Sequence, residues 1–183
     1  MNTAWIEKEI CYDGTQLKSH WIYNQAGVLG DCIAGFIGPA DVPITNMVDL
    51  VDVKNNDPIY SKSMLHFIIE HFDSGLNLAI ARQRLLVAIA AEELKSHSTA
   101  IVRSGNDLYD GDKKLSVSIA TVSPVSTLIH FAINIKSDGT PVPTKGLADY
   151  KIEPKSFAKN ILTRYSAEIK SMNEARCKVR PVK

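Results

Sequence analysis

The chain has 183 residues, 45% of them hydrophobic and 22% charged, with a formal net charge of +1. That length suits one domain with a substantial core, and the composition is that of a globular protein, neither disordered nor fibrous. Near-neutrality removes any global electrostatic drive toward nucleic acid, and no apolar run approaches a membrane span, so neither is an expected partner.

The opening residues, Met1-Asn2-Thr3-Ala4-Trp5-Ile6-Glu7, lack the basic-then-apolar order of a secretory signal, so the cytoplasm is the expected location. Cys11, Cys32 and Cys177 are odd in number and widely spaced, with no CxxC pair. They exclude a disulfide framework, carry no zinc pattern, and read as reduced structural residues.

In chain order, the N-terminal third reads as short strands separated by turns. Residues 5–12 end at Asp13-Gly14, residues 32–37 lie between Gly30 and Gly38, residues 47–53 alternate apolar and acidic, and residues 64–72 form a fourth strand. Asp73-Ser74 is placed to cap a helix over residues 76–94, rich in Ala, Leu and Ile. Strands are predicted again at 100–103, 114–122 and 128–135, and two prolines make 139–146 a loop. Pro154 opens a final helix in which Phe157, Ile161, Tyr165, Ile169 and Met172 recur on one face. The basic residues crowded into 170–183 read as a solvated tail. Runs of strands with one central and one terminal helix predict a single α+β domain over residues 1–183: a mixed or antiparallel sheet with helices on one side. Apolar edge strands in the N-terminal third leave room for a homodimer.

The chemistry concentrates between Arg103 and Asn134. On a strand, Lys114, Ser116 and Ser118 share one face and Leu115, Val117 and Ile119 the other; His130, Ala132 and Asn134 lie opposite Ile129, Phe131 and Ile133. A hairpin through residues 122–126 would set Ser118 near His130 and Lys114 near Asn134, giving one greasy face and one small, polar, ionisable face suited to a ligand. Just upstream, Arg103-Ser104-Gly105-Asn106-Asp107 carries a turn signal. There Arg103 would take an anionic group by a bidentate contact, and Asp107 would accept ligand N–H groups or orient Lys114.

The run His66-Phe67-Ile68-Ile69-Glu70-His71 is one residue too long for an inverted zinc-protease motif, so no metal site is expected. Glu70 is either an acceptor for paired N–H donors of a guanine-like ring or a buried structural carboxylate. Gln83 and Arg84, inside the predicted helix, read as fold contacts.

The stretch Asn106-Asp107-Leu108-Tyr109 through Lys114-Leu115-Ser116, with the later Ile133-Asn134-Ile135, resembles the core of biotin protein ligases. That resemblance covers about thirty residues and implies pocket positions for Asn106, Asp107, Lys114 and Asn134. The Gly-Arg-rich loop with which those ligases hold an adenylate is missing, and residues 27–38 offer only Gly30-Asp31-Cys32. Over its whole length the chain resembles domain-of-unknown-function family 366, on Tyr12-Asp13-Gly14-Thr15-Gln16-Leu17, Met47-Val48-Asp49-Leu50, Met64-Leu65-His66-Phe67, the 103–119 run and Ile129-His130-Phe131.

The resemblance implies a biotin/lipoate ligase-like fold, akin to class II aminoacyl-tRNA synthetases. It also implies a cofactor-independent decarboxylase (a lyase) of phage 7-deazaguanine DNA-modification pathways, in the host cytoplasm. On that reading the substrate is the small molecule 7-carboxy-7-deazaguanine. Lys114 or His130 would donate a proton to the ring carbon, and Arg103 would hold the carboxylate. Asp107, Glu70, Asn106, Ser116, Ser118 and Asn134 would bind the rest. An acyl ligase or acyltransferase, and a non-catalytic purine- or acyl-binding module, stand as alternatives.

Overall fold

The computed structural model describes residues 1–97, 100–140 and 142–182. Its main sheet has five strands: β1 (Asn2–Trp5), β2 (Cys32–Val42), β3 (Ile59–His71), β7 (Ser116–Val122) and β8 (Thr127–Asn134). Their order is β1-β2-β3-β8-β7, with β1 parallel to β2 and every other pair antiparallel, so the sheet is mixed. Between β3 and β7 the chain builds a second, three-stranded meander from β4 (Val102–Ser104), β5 (Asp107–Asp110) and β6 (Lys113–Lys114). Two-residue turns at Gly105-Asn106 and Gly111-Asp112 join these strands, and both glycines sit at φ 62°, where a side chain would be strained.

The alternation of β3 and β8 splits the core in two. Leu65, Phe67 and Ile69 pair with Ile133, Phe131 and Ile129 and face the long helices α3 (Leu76–Ser96) and α4 (Pro154–Cys177). Phe67 and Phe131 stack with centroids 6.0 Å apart at the centre of that layer. Full burial of such a ring contributes about 2–3 kcal/mol. The opposite face carries His66, Ile68, Glu70, His130 and Ala132. It is closed by the short helix α1 (Trp21–Ala26), through Trp21 and Ile22, and by the incoming chain at Ile6 and Tyr12.

Several sequence expectations are corrected. Strand β1 ends at Trp5 because four residues then run against two of β2, from Ile6 N–Gly35 O to Ile10 N–Ile37 O, which breaks the ladder until Tyr12 bridges Ala40. Helix α1 went unforeseen. Residues 47–53 are not a strand: Asp49 caps α2 (Leu50–Asn55), its carboxylate accepting from Val51 N and Asp52 N. The N-cap of α3 is Gly75, with no side-chain bond, because Asp73 is drawn instead to Arg82 (2.6 Å) and Thr127 (3.0 Å). In α4, Phe157, Ile161, Tyr165 and Ile169 are buried, whereas Met172 is 42% exposed where the helix overhangs the body. The basic residues beyond it are exposed as far as Val182, and Lys183 lies outside the described residues, as does Pro141 of the predicted 139–146 loop. Cys32 is buried, while Cys11 and Cys177 are exposed and free, so only Cys32 packs as a core residue.

The largest correction is in the β7–β8 hairpin. A four-residue turn, closed by Ser123 N–Ser126 O at 2.7 Å, sets Val122 opposite Thr127. Ile119 then faces His130 and Ser118 faces Phe131, one residue away from the expected pairing. A one-residue slip exchanges the faces. Val117 and Ile119 therefore join His130 and Ala132, and the serines turn toward the helices.

The crossing of the N-terminal segment over β2 requires Gly38, where an added Cβ would lie 1.9 Å from Ile10 O. Gly38→Ala should cost about 3 kcal/mol, the upper range for overpacking, because backbone cannot step aside as a side chain can. Gly75→Ala, whose Cβ would lie 3.6 Å from Leu78, should stay within about 0.5 kcal/mol. Urea midpoints of the two variants at unchanged m measure the contrast, and equal midpoints would contradict this crossing.

Candidate active site

A cavity of about 470 Å³ opens on the face of the main sheet away from α3 and α4. Met64, Val117, Ile119 and His130 form its sheet side, and Tyr12 lies against His130. One wall is the excursion between β2 and β3, which supplies Asp49, Asp52 and Asp57, together with Tyr60 and Ser61 from the start of β3. The facing wall is the small meander, with Asn106, Asp107 and Lys114, and the segment carrying Thr140, Val142 and Thr144.

The meander positions the ion pair. Lys114 on β6 stands opposite Tyr109, so Asp107, two residues earlier on β5, is its diagonal neighbour on the same face. Lys114 Nζ meets Asp107 Oδ2 at 3.1 Å, and Asp107 Oδ1 is buried with no hydrogen-bond partner among the described residues. The lysine backbone is clamped on both sides: Lys114 N donates to Pro143 O, and Lys145 N donates to Lys114 O. Such clamping holds the ammonium at one place on the cavity wall.

The lining is acidic. Among its described residues Lys114 is the one cation, against the carboxylates of Asp49, Asp52, Asp57 and Asp107. Burial, followed by the neighbouring Asp49 charge, pushes the Asp52 carboxyl above its usual range. An adjoining pocket of about 230 Å³ holds Arg84, but that guanidinium donates to Asn106 Oδ1 at 3.1 Å.

Beneath the cavity lies a buried histidine pair. His66 Nδ1 and His130 Nε2 are 3.1 Å apart, and His66 Nε2 is 3.2 Å from Gly38 O. Tyr12 stacks on His130 at 3.7 Å between centroids, and Phe36 stacks on His66 at 4.9 Å. Burial pushes His66 down to about 4 and His130 well below its ordinary value, so both rings are neutral near pH 7. His130 is therefore not a protonated acid waiting in the site.

Of the residues expected from sequence, Asn106, Asp107, Lys114, Ser116, Ser118, His130 and Asn134 all line this cavity. Four of them are already engaged by the fold. Ser116 Oγ accepts from Leu108 N, Ser118 Oγ accepts from Gln83 Nε2, Asn106 donates to Ser118 O, and Asn134 Oδ1 accepts from Ser61. Arg103 does not reach the cavity: it is exposed and folds back onto Gly105 O at 2.7 Å. Glu70 does not reach it either. Its carboxylate takes the His20 N–H at 3.0 Å and the Ser126 hydroxyl at 2.6 Å, the structural alternative. Gln83 and Arg84 make the fold contacts expected of them. Sequence reasoning missed Tyr12, Ser61 and the three aspartates of the excursion. Their signal was an Asp-rich stretch bracketed by Pro43 and Pro58, hidden by the strand-like alternation within it.

With this geometry in view, known proteins place the chain. A family model described as Domain of unknown function (DUF366) matches residues 1–180. The chain belongs to the DUF366 family. An uncharacterized protein of Methanocaldococcus jannaschii is 37% identical to it over 176 residues, covering 92% of this chain and 80% of that one. A solved protein of unknown function from Pyrococcus horikoshi superposes on this DUF366 protein with a TM-score of 0.95 at 37% identity, covering 100% and 99% of the two chains. Biotin protein ligase from Aquifex aeolicus, in complex with biotin and ATP, superposes at a TM-score of 0.61 and 17% identity over 94% of this chain and 72% of the ligase. Lipoate-protein ligase A bound with ATP gives 0.57 and 14% over 92% and 85%. At such identities the likeness concerns the fold alone: this DUF366 protein has the biotin/lipoate ligase-like fold.

The neutral histidine pair makes stability depend on pH with a definite sign. In the unfolded chain each ring takes a proton below about 6.5, whereas folded His66 stays neutral down to about 4. Stability is thus full above pH 6.5 and falls as pH drops toward 4, by up to about 1.4 kcal/mol per pH unit for each ring. Urea midpoints at about pH 7 and about pH 5 should show this loss, and His66→Gln should reduce the slope by about half. A variant that retains the wild-type slope would contradict the buried neutral pair.

Proposed function

We propose that this DUF366 protein is an enzyme that decarboxylates 7-carboxy-7-deazaguanine to 7-deazaguanine without a metal or organic cofactor. The observation that carries the reading is the pairing of one clamped ammonium, Lys114, with Asp107 in a cavity whose other charged lining groups, among the described residues, are carboxylates. The sequence resemblance to a phage 7-deazaguanine group supplies the substrate class. The cavity volume of about 470 Å³ suits a compact bicyclic ligand.

The chemistry balances with residues at hand. The Lys114 ammonium delivers its proton to the pyrrole carbon that bears the carboxylate. The carbon–carboxylate bond then breaks, its electron pair returns to the ring, carbon dioxide leaves, and lysine recovers a proton from water. Aspartates of the excursion and Asp107 offer acceptors to the amino and ring N–H groups of the guanine edge. Their summed negative charge also disfavours a retained substrate carboxylate, and departure as neutral carbon dioxide relieves that repulsion. Arg103, outside the cavity, takes no part.

The ligase-like fold favours a second reading, an ATP-using acyl ligase. The lining opposes it, because a nucleoside triphosphate would meet four aspartates and one lysine without the Gly-Arg-rich loop.

The test is release of carbon dioxide from 7-carboxy-7-deazaguanine, with a thermal melt as folding control. Lys114→Met should lower turnover by about 100-fold or more, Asp107→Asn should weaken binding by about tenfold, and Arg103→Ala should change neither. Binding without carbon dioxide release would leave a binding module. ATP consumption with a carboxylic acid would transfer the case to the ligase reading.

A further inference from the structure

The hydrogen bonds beneath the cavity determine where the histidine protons sit. Gly38 O is a carbonyl and only accepts, so His66 Nε2, 3.2 Å away, must carry the hydrogen of that bond. A neutral imidazole has one N–H, which leaves His66 Nδ1 bare. The 3.1 Å contact from Nδ1 to His130 Nε2 then requires the hydrogen on His130 Nε2. By the same count His130 Nδ1 is bare. That nitrogen has no partner among the described residues and, unlike Trp5 Nε1, Arg82 Nε and Asp107 Oδ1, is not sealed from solvent. His130 lines the cavity, so its lone pair is presented there.

Other features support a geometric purpose for this arrangement. Tyr12 lies flat on His130, 12° from coplanar, and prevents the ring from tilting. The bare nitrogen joins the carboxylates of Asp49, Asp52, Asp57 and Asp107 in the lining of one space, where Lys114 is the one cation among the described residues. A set so rich in acceptors is complementary to a planar heterocycle that carries several N–H groups. An aspartate in place of His130 would add a fifth charge, whereas a neutral imidazole lone pair accepts without one.

We infer that His66 holds His130 in the Nε2–H tautomer and that His130 Nδ1 accepts an N–H of the bound heterocycle. This rests on the cavity being the 7-deazaguanine site proposed above. His130 is then a substrate-binding residue and His66 a positioning residue that acts through it. The role reverses the one expected from sequence, in which His130 donates.

Long-range proton–nitrogen correlation spectra of the histidine-labelled full chain read both parts directly. In the ligand-free protein near pH 7, His66 and His130 should both show the Nε2–H tautomer; an Nδ1–H or charged His130 overturns the inference. On saturation with 7-carboxy-7-deazaguanine, or with 7-deazaguanine to avoid turnover, the His130 Nδ1 resonance should move upfield as it accepts a hydrogen bond. Calorimetric binding of either compound with that resonance unmoved overturns the inference even if carbon dioxide is released. Movement without any carbon dioxide release upholds the acceptor while the decarboxylase reading fails. Binding of neither compound overturns both. His130→Phe keeps the ring on Tyr12 and should weaken binding about tenfold, the scale of an unpaired N–H. His66→Phe should leave His130 folded into the site but mixed in tautomer, a signature that a purely packing role for His66 would not produce.

Discussion

The antiparallel pairing of β3 with β8 is the constraint on which everything else rests. Eight consecutive residue pairs, from Met64–Asn134 to His71–Thr127, fix which side chains share each face. One parity sends Leu65, Phe67, Ile69, Ile129, Phe131 and Ile133 beneath α3 and α4, where they form the larger core. The other parity places His66 and His130 together under the cavity. Shifting β8 by one residue against β3 would turn His130 toward the helices and Phe131 toward the cavity face. The pairing that stabilises the fold is therefore the same one that builds the floor of the site.

Above that floor, the cavity combines two kinds of wall with different origins. The meander β4–β6 is short and tied by two-residue turns, so Asp107 and Lys114 are brought together by local pairing. The excursion carrying Asp49, Asp52 and Asp57 meets them only through tertiary folding. Tolerance of four carboxylates around one lysine is costly in an empty pocket. Such a balance is typical of a place kept for a ligand and not of a surface selected for stability alone.

The biotin and lipoate ligase-like architecture carries this site without dictating its chemistry. The likeness in fold, at TM-scores of 0.61 and 0.57, comes with identities of only 17% and 14%. The fold offers a concave sheet face closed by irregular segments, and the charge on those segments decides what can enter. Here, among the described lining residues, that charge is negative apart from Lys114.

By itself the sequence determined the elements whose patterns are local. Helix α3 and the buried stripe of α4 follow from apolar spacing, and β3 and β8 from runs rich in Ile, Phe and Leu around His66 and His130. The placement of Asn106, Asp107, Lys114 and Asn134 around one space was legible as well, because short turns hold their segments close. Tertiary structure alone decided the rest. Residues 47–53 alternate like a strand but become a capped helix from Leu50 onward, since the Asp49 carboxylate satisfies its first amides. A four-residue turn at 123–126 chose the hairpin register and turned the Ser116 and Ser118 hydroxyls toward Leu108 N and Gln83. Arg103 left the site because its nearest acceptor is the turn carbonyl two residues on. Glu70 left it because His20 N–H and Ser126 were nearer, fifty or more residues away in the chain. Which partner satisfies a charge or a hydrogen bond is a question of distance in space, and periodicity along a chain carries no record of it.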